Sequence, residues 1–290
     1  MQADVRLIKQ RLFEKVYDIT ADYGFPLPKT PDELARQVLE SLHQLPSVNP
    51  LEAHLDNNVV FRAAVRAVGS NSKKWATYLK QEKAIARLLF NFDVPAVHNK
   101  PPHASELGKL LPGLTASADA KAILQWAKIL SESKDYYADI TGAAKDIQNK
   151  YTDLHNEGMP LSELFLCVVA HFTDPKAADR KWPGMGFPIG AEFLRNLGWN
   201  GLKPDRHIKR LVQHWTKGQL EVQSQLQQLL AVVGSNGAEL KENLSCSLTG
   251  MSIAPDEYKT NLSQFDNLIW LLGAYVEKKG KETNLRYVVG

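Results

Sequence analysis

Helical periodicity extends along almost the whole chain and limits the fold more than any other feature of the sequence. In the segment 204–216, apolar residues recur at steps of three and four, which places Ile208, Leu211 and Trp215 on one helix face. We find no convincing alternation of apolar and polar residues of the kind that a half-buried strand shows. The sequence therefore predicts an all-α fold.

The periodic segments, with their start and stop signals, predict ten helices. One begins at the capping box Thr30-Pro31-Asp32-Glu33, with proline at the first helical position, and extends to about Gln44. The others are expected near residues 3–22, 56–68, 72–91, 119–150 (broken), 160–172, 187–198, 204–216, 219–233 and 263–279. Loops are expected at residues 24–30, 98–104, 234–250 and 279–290.

A proline-containing stretch at residues 94–103 indicates a division into two closely packed helical subdomains with a cleft between them. We expect an N-terminal subdomain at residues 1–100, completed by the C-terminal segment 245–290. The second subdomain is expected at residues 101–244.

Composition and charge exclude several classes of protein. The chain has 290 residues, 44% of them hydrophobic and 23% charged, as is usual for a soluble globular protein. Its longest apolar runs, such as residues 164–170, are less than half of the roughly 20 residues that a membrane span requires. Two cysteines, Cys167 and Cys246, cannot supply a disulfide framework or a four-cysteine iron–sulfur cluster. The N terminus has no apolar signal-peptide core, so we expect a cytoplasmic monomer without membrane contact.

Turn-forming residues concentrate between Trp182 and Gly190, where the chain reads WPGMGFPIG. Helical segments flank this stretch, so Gly184-Met185-Gly186 is expected to form a tight hairpin whose glycines can take positive φ and expose backbone amides. Residues 173–217 carry nine lysines and arginines against four acids. A polyanionic partner requires such a field, although a solvated basic face has the same composition.

Two nucleotide-binding motifs do not fit this loop. The dinucleotide motif G-x-G-x-x-G follows a strand, whereas here the third glycine stands one place late and the preceding segment is helical. The triphosphate-binding motif G-x-x-x-x-G-K-[ST] does not occur in the sequence.

The hairpin and the later segment Lys203-Pro-Asp-Arg-His-Ile-Lys-Arg-Leu resemble the helix–hairpin–helix DNA glycosylases, the HhH-GPD superfamily. In that family a Pro-Gly-x-Gly hairpin binds the DNA backbone, and a nearby helix opens with the catalytic aspartate. The resemblance implies that Gly184, Met185 and Gly186 present amides to a DNA phosphate, often beside a monovalent cation. It also implies that Asp205 is catalytic and that the partner is double-stranded DNA carrying a modified base.

The position of Asp205 suits this chemistry. Base excision breaks an N-glycosidic bond through an oxocarbenium-like sugar, which a nearby carboxylate stabilises. Pro204 is expected at the first position of the next helix, so Asp205 would lie in the first turn, where the helix dipole favours an ionised carboxylate. An aspartate that only caps the helix is the alternative.

The segment Phe265-Asp-Asn-Leu-Ile-Trp270 is similar to a helix of the archaeal 8-oxoguanine DNA glycosylases, in which an Asp and a Trp help to form the base pocket. The similarity implies that Asp266 and Trp270, four apart on one helix face, line a pocket for the flipped base. Ser263 and Asp266 also fit a capping box, and Trp270 can be a core residue. Weaker candidates for stacking on the base are Trp126, Tyr136, Tyr137 and Trp215.

Basic residues around the hairpin and Asp205 are expected to contact DNA phosphates, and each can equally be a surface charge: Lys181, Lys203, Arg206 and Lys209. Bifunctional members of the family carry a lysine just after the hairpin that forms a Schiff base with the sugar. This chain has Phe187-Pro188-Ile189 there, so the resemblance implies a monofunctional hydrolase without a cofactor. Lys181 and Lys203 lie near enough in sequence to weaken that conclusion.

Three functions remain open at this point. The first is a DNA glycosylase that uses Asp205 to hydrolyse the glycosidic bond of a flipped base and leaves an abasic site. The second is a non-catalytic helix–hairpin–helix DNA-binding module, and the third is a helical protein-interaction scaffold. For the first, an oxidised, alkylated or hypermodified base would fit a role in DNA repair or in defence against phage, and the motifs do not choose among them.

Overall fold

Helices dominate the computed structural model, which describes residues 2–41, 49–70, 75–111, 113–176, 181–217, 223–234, 237–244, 252–253 and 262–285. The predicted all-α fold is confirmed. Over these ranges the helices are α1 Val5–Phe13, α2 Val16–Tyr23, α3 Pro31–Ser41, α4 Asn57–Val68, α5 Trp75–Leu88, α6 Val94–Asn99, α7 Ala104–Leu110, α8 Ala116–Glu132, α9 Tyr136–His155, α10 Leu161–Thr173, α11 Phe187–Asn196, α12 Arg206–Thr216, α13 Gln223–Val233, α14 Gly237–Leu244 and α15 Leu262–Leu271. A 3₁₀ turn spans Phe90–Phe92, a π-helical turn at Leu272–Val276 continues α15, and the short strands β1 (Gln2–Ala3) and β2 (Ser252–Ile253) pair in parallel.

Capping residues that the sequence indicates do begin helices. Thr30 Oγ1 accepts a hydrogen bond from the Glu33 amide at 3.1 Å, while Glu33 Oε2 accepts from the Lys29 amide at 2.8 Å. This is the predicted capping box, with its return bond one residue further toward the N terminus. Asp56, where the sequence predicts a helix to start, caps α4 with its side chain alone, because its Oδ1 accepts from two amides of that helix at 2.8 and 2.9 Å.

The single helix predicted at residues 3–22 is wrong, because the chain forms α1 and α2 there with a break at Glu14 and Lys15. Lys15 has φ −114° and ψ 23°, which is outside the helical region. The apolar spacing continues across the break and therefore hides it. The buried residues are Val5, Ile8, Leu12, Val16 and Ile19.

Two predicted loops also contain helices. Residues 98–104 include the end of α6 and the start of α7, so only residues 100–103 separate the two helices. Within residues 234–250 the chain forms α14, which buries Leu240 and Leu244 on one face. Each of these helices has eight residues or fewer, too few for a convincing periodic pattern.

Contacts within the chain define two compact units. The first consists of residues 1–44, 160–166 and 200–290, and the second of residues 45–159 and 167–199. Our sequence-based division at residues 100 and 244, and the cleft, stay predictions. Within the described ranges, every helix is too short or too polar to span a bilayer.

In the first unit, α12 packs against α15 and its π turn, and α1 packs against α3. The buried face of α12 consists of Ile208, Leu211, Val212 and Trp215, as the periodicity predicts. Phe265, Leu268 and Ile269 are fully buried on α15. These contacts fix the start of α12, where Asp205 lies, relative to α15.

In the second unit, α11 packs against α4, and α8 packs against α6 and α7. Nearly all of α11 is buried: even Arg195 is 1% exposed, and it donates to Glu192 at 2.9 Å. Asn196 Nδ2 donates to the Ala63 carbonyl at 3.2 Å. The helix that follows the glycine hairpin is therefore held by the core of this unit.

Candidate functional site

The glycine hairpin is a tight turn that leads into α11. Gly184 has φ +71°, a left-handed conformation that favours glycine, and the Met185 amide donates to the Trp182 carbonyl at 3.2 Å. Gly186 is extended, with φ −84° and ψ 170°, and is the N-cap of α11 without a capping side chain. Because the Met185 amide is used inside the turn, the amides of Gly184 and Gly186 are the better candidates for a bound anion.

Aromatic residues of α8 and α9 pack against the start of the hairpin. Trp126 Nε1 donates to the Pro183 carbonyl at 2.9 Å, and the Trp126 and Tyr136 rings lie 5.6 and 4.9 Å from that of Trp182. A Cβ added to Gly184 would lie 3.2 Å from Ala122 Cβ. Trp126 and Tyr136 are thus core residues beneath the hairpin, which explains their presence without a base pocket.

Side-chain exposure agrees with a role for the hairpin backbone. Gly184 is exposed, whereas Met185 is only 1% exposed and points into the core of the second unit. Lys181, just before the turn, is half-buried. A ligand at this turn would therefore meet backbone groups and the Lys181 side chain before it met Met185.

Asp205 is the N-cap of α12, because the helix begins at Arg206, two residues later than predicted. Its Oδ1 accepts from the His207 and Ile208 amides at 2.8 and 3.1 Å, and its backbone is extended. Pro204 consequently precedes the helix, and its predicted place at the first helical position is wrong. Asp205 still lies at the positive end of the helix dipole.

The second carboxylate oxygen of Asp205 faces a lysine. Asp205 Oδ2 lies 3.8 Å from Lys203 Nζ, and the two side chains are 14% and 7% exposed. Lys203 was predicted to contact phosphate, and that role stays a prediction. Because Lys203 is buried beside Asp205, its ammonium group is better placed to interact with this carboxylate than with a DNA phosphate.

Asp266 and Trp270 lie on α15, in the same unit as Asp205. Asp266 is 1% exposed, and its Oδ1 accepts from the Lys203 amide at 2.8 Å. Trp270 is half-buried, and its ring lies edge-to-face with that of His207, with 6.3 Å between centroids. The structure thus brings Lys203, Asp205, Asp266 and Trp270 to one region of the first unit, although Asp266 points at backbone.

His207 was not among the predicted site residues, yet it contacts both Asp205 and Trp270. A Cβ on Gly273 would lie 2.9 Å from His207 Cβ, so the π turn needs glycine there to admit the histidine. Burial lowers the pKa of His207 below 6.5, and the charges of Arg206 and Arg210 lower it further, whereas Asp205 raises it.

Arg210 is a second residue that spacing did not reveal. It donates to the Gly273 carbonyl at 3.0 Å, to the Glu277 carbonyl at 2.5 Å and to Glu282 Oε1 at 2.6 Å. These bonds tie α12 to the π turn that follows α15. Pairing of distant segments of this kind has no local signature in the sequence.

The other predicted phosphate contacts differ in exposure. Arg206 is exposed at the start of α12, and Lys209 is half-buried one turn later.

A cavity of about 630 Å³ in the second unit, bordered by His54, Asp56 and Asp135, contains none of the predicted site residues. In the described part of the chain no three His, Cys, Asp or Glu side chains gather to hold a metal ion. The monovalent cation at the hairpin stays a prediction.

Comparison of the chain with protein-family models, with curated proteins and with solved structures gave no match.

Proposed function

We propose that this chain is a DNA glycosylase, which hydrolyses the N-glycosidic bond of a flipped, modified base and leaves an abasic site. The observation that carries the proposal is the environment of Asp205 Oδ2. This oxygen takes no part in the two capping bonds, belongs to a side chain that is 14% exposed, and faces the Lys203 ammonium at 3.8 Å. A fixed carboxylate of this kind is suited to a transition state in which the sugar becomes cationic.

The reaction needs only water and the residues around Asp205. The bond between C1′ and the base breaks, and its electron pair leaves with the base. Water adds to C1′, and Asp205 Oδ2, which first stabilises the cationic sugar, accepts the proton that the water loses. That proton then passes to the departed base or, where the base was cationic, to solvent, which restores the carboxylate. Trp270, half-buried beside His207, would stack on the flipped base.

The hairpin is proposed to hold the DNA backbone. Its exposed Gly184, and the start of α11 without a capping side chain, offer amides and a helix dipole to a phosphate. Lys181, Arg206 and Lys209 would add the salt-dependent part of the affinity. The proposed partner is double-stranded DNA that carries a modified base.

We propose a monofunctional enzyme, because no lysine follows the hairpin at residues 187–189. Lys203 lies close to Asp205, so strand cleavage must be measured directly. The base can be oxidised, alkylated or hypermodified, and the role can be DNA repair or defence against phage.

One observation favours a second candidate function, a non-catalytic DNA-binding module. Asp205 makes both bonds of an ordinary N-cap, and a capping residue needs no catalytic role. In this alternative the hairpin grips DNA and no base is released.

The test is abasic-site release from duplexes that carry alkylated, oxidised, deaminated or hypermodified bases, each measured with and without alkali. Strand breaks that need alkali, from one class of duplex, would support the monofunctional glycosylase. Breaks without alkali would overturn the monofunctional assignment. Salt-dependent binding of all duplexes without any release would favour the binding module.

A further inference from the structure

The N-terminal half of α15 is hydrogen-bonded to the segment that ends at Asp205, residues 200–205, which we name the 200–205 loop. Ser263 Oγ donates to the Gly201 carbonyl at 3.2 Å and accepts from the Gly201 amide at 3.3 Å. Asp266 Oδ1 accepts from the Lys203 amide at 2.8 Å. The two α15 side chains are 6% and 1% exposed, so these bonds are shielded from water.

The opposite side of the 200–205 loop is fixed by packing. A Cβ on Gly201 would lie 2.4 Å from the Phe165 ring, so the backbone lies directly on this aromatic side chain. Phe165 is itself 1% exposed. The loop is therefore held between α10 and α15 within the first unit.

A chain of hydrogen bonds leads from Asp266 to Asp205. The Lys203 amide donates to Asp266, the Asp205 amide donates to the Lys203 carbonyl at 2.7 Å, and the His207 amide donates to Asp205 Oδ1 at 2.8 Å. The first bond holds Lys203, two residues before Asp205, and the other two are made by Asp205 itself, so the carboxylate of Asp266 fixes the backbone that leads into Asp205.

We propose that Asp266 is a positioning residue for Asp205, acting through the Lys203 amide, and not an acceptor for the flipped base. Its side chain is almost completely shielded, and its Oδ1 accepts from a backbone amide. A bond between a carboxylate and an amide is charge-assisted and strong, and it resists displacement of the loop. This inference rests on the proposed function, because it assigns Asp266 a part in the same reaction.

The experiment compares Asp266→Asn with Asp266→Ala on a duplex from which the wild type releases the base. Asparagine keeps an oxygen that can accept from the Lys203 amide, whereas alanine removes it. We expect Asp266→Ala to lower the single-turnover rate by about 100-fold and Asp266→Asn by less than about fivefold, with the preference among bases unchanged. Trp270→Ala is the contrasting variant, because loss of a stacking residue should raise KM or change the preference.

Two measurements show whether the variants remain folded and whether the 200–205 loop becomes more mobile. Affinity for a duplex with a tetrahydrofuran abasic analogue should stay within about twofold of wild type for both variants, since the hairpin is unaltered. Amide hydrogen exchange of a peptide covering the 200–205 loop should speed up in Asp266→Ala and remain slow in Asp266→Asn.

An equal loss of rate in both Asp266 variants, or a changed preference among bases with unchanged exchange, would overturn the positioning role and leave the glycosylase intact. A wild type that releases no base from any duplex would overturn the proposed function, and the inference with it.

Discussion

The Lys203 ammonium lies 3.8 Å from Oδ2 of Asp205, while Oδ1 of the same carboxylate caps α12. The two oxygens of Asp205 thus have separate contacts, one with backbone amides and one with a buried positive charge. Both side chains are largely shielded from water, so the pair is screened less by salt than a surface ion pair. This arrangement distinguishes Asp205 from a helix cap on an open surface.

Lys203 and Arg206 are expected to affect different steps. Lys203→Met should lower the excision rate by about tenfold at saturating enzyme and leave DNA affinity within about twofold, because Lys203 is buried beside Asp205. Arg206→Ala should weaken DNA binding and reduce the slope of log K against log salt by about 1, because Arg206 is exposed. Single-turnover rates and salt titrations check this. Weakened binding with a normal rate in Lys203→Met would place Lys203 on the phosphates instead.

The hairpin glycines allow a matched pair of variants. Gly186→Ala should change the free energy of unfolding by less than about 0.5 kcal/mol, because φ is −84° and a Cβ there meets nothing within 4 Å. The added methyl group should nonetheless weaken DNA binding, since it adds bulk beside the amide that a phosphate would approach. Gly184→Ala should be less stable by about 1–2 kcal/mol, because its φ is +71°.

Urea unfolding and fluorescence anisotropy with labelled duplex DNA measure the two effects. The proposed contact with phosphate would be contradicted if Gly186→Ala bound DNA as tightly as wild type across a salt series.

The sequence was sufficient to predict the fold class and most long helices, because their apolar spacing and capping residues are local. The position of Asp205 at a helix start is also local information, although Pro204 led us to place that start two residues too early. The break at Glu14 and Lys15 was hidden by an apolar spacing that continues through it.

Contacts between distant segments were not predictable. The bond from the Lys203 amide to Asp266 joins residues 63 positions apart, so spacing suggested only that Asp266 and Trp270 share a helix face. The burial of Lys203 and the contact of His207 with Gly273 depend likewise on how α12 packs against α15. No residue pattern within either segment specifies that packing.

His207 should make stability depend on pH. Burial holds its pKa below 6.5 in the folded protein, so between that folded pKa and 6.5 the unfolded chain binds more protons. The free energy of unfolding should therefore rise with pH through this interval. Above pH 6.5, His207 should contribute little to its pH dependence. Urea unfolding of wild type and His207→Gln between about pH 5 and pH 7.5 measures the difference. Identical pH profiles for the two proteins would contradict the assigned pKa direction.

The most direct test of the proposed function compares the single-turnover rates of base release by wild type and by Asp205→Asn. Both proteins are given a duplex from which the wild type releases the base. Asparagine is as good an N-cap as aspartate, so Asp205→Asn should keep the fold and bind the same duplex normally. We predict that it releases the base at least about 100-fold more slowly than wild type. Release at the wild-type rate by Asp205→Asn would show that Asp205 is only a helix cap and would contradict the account.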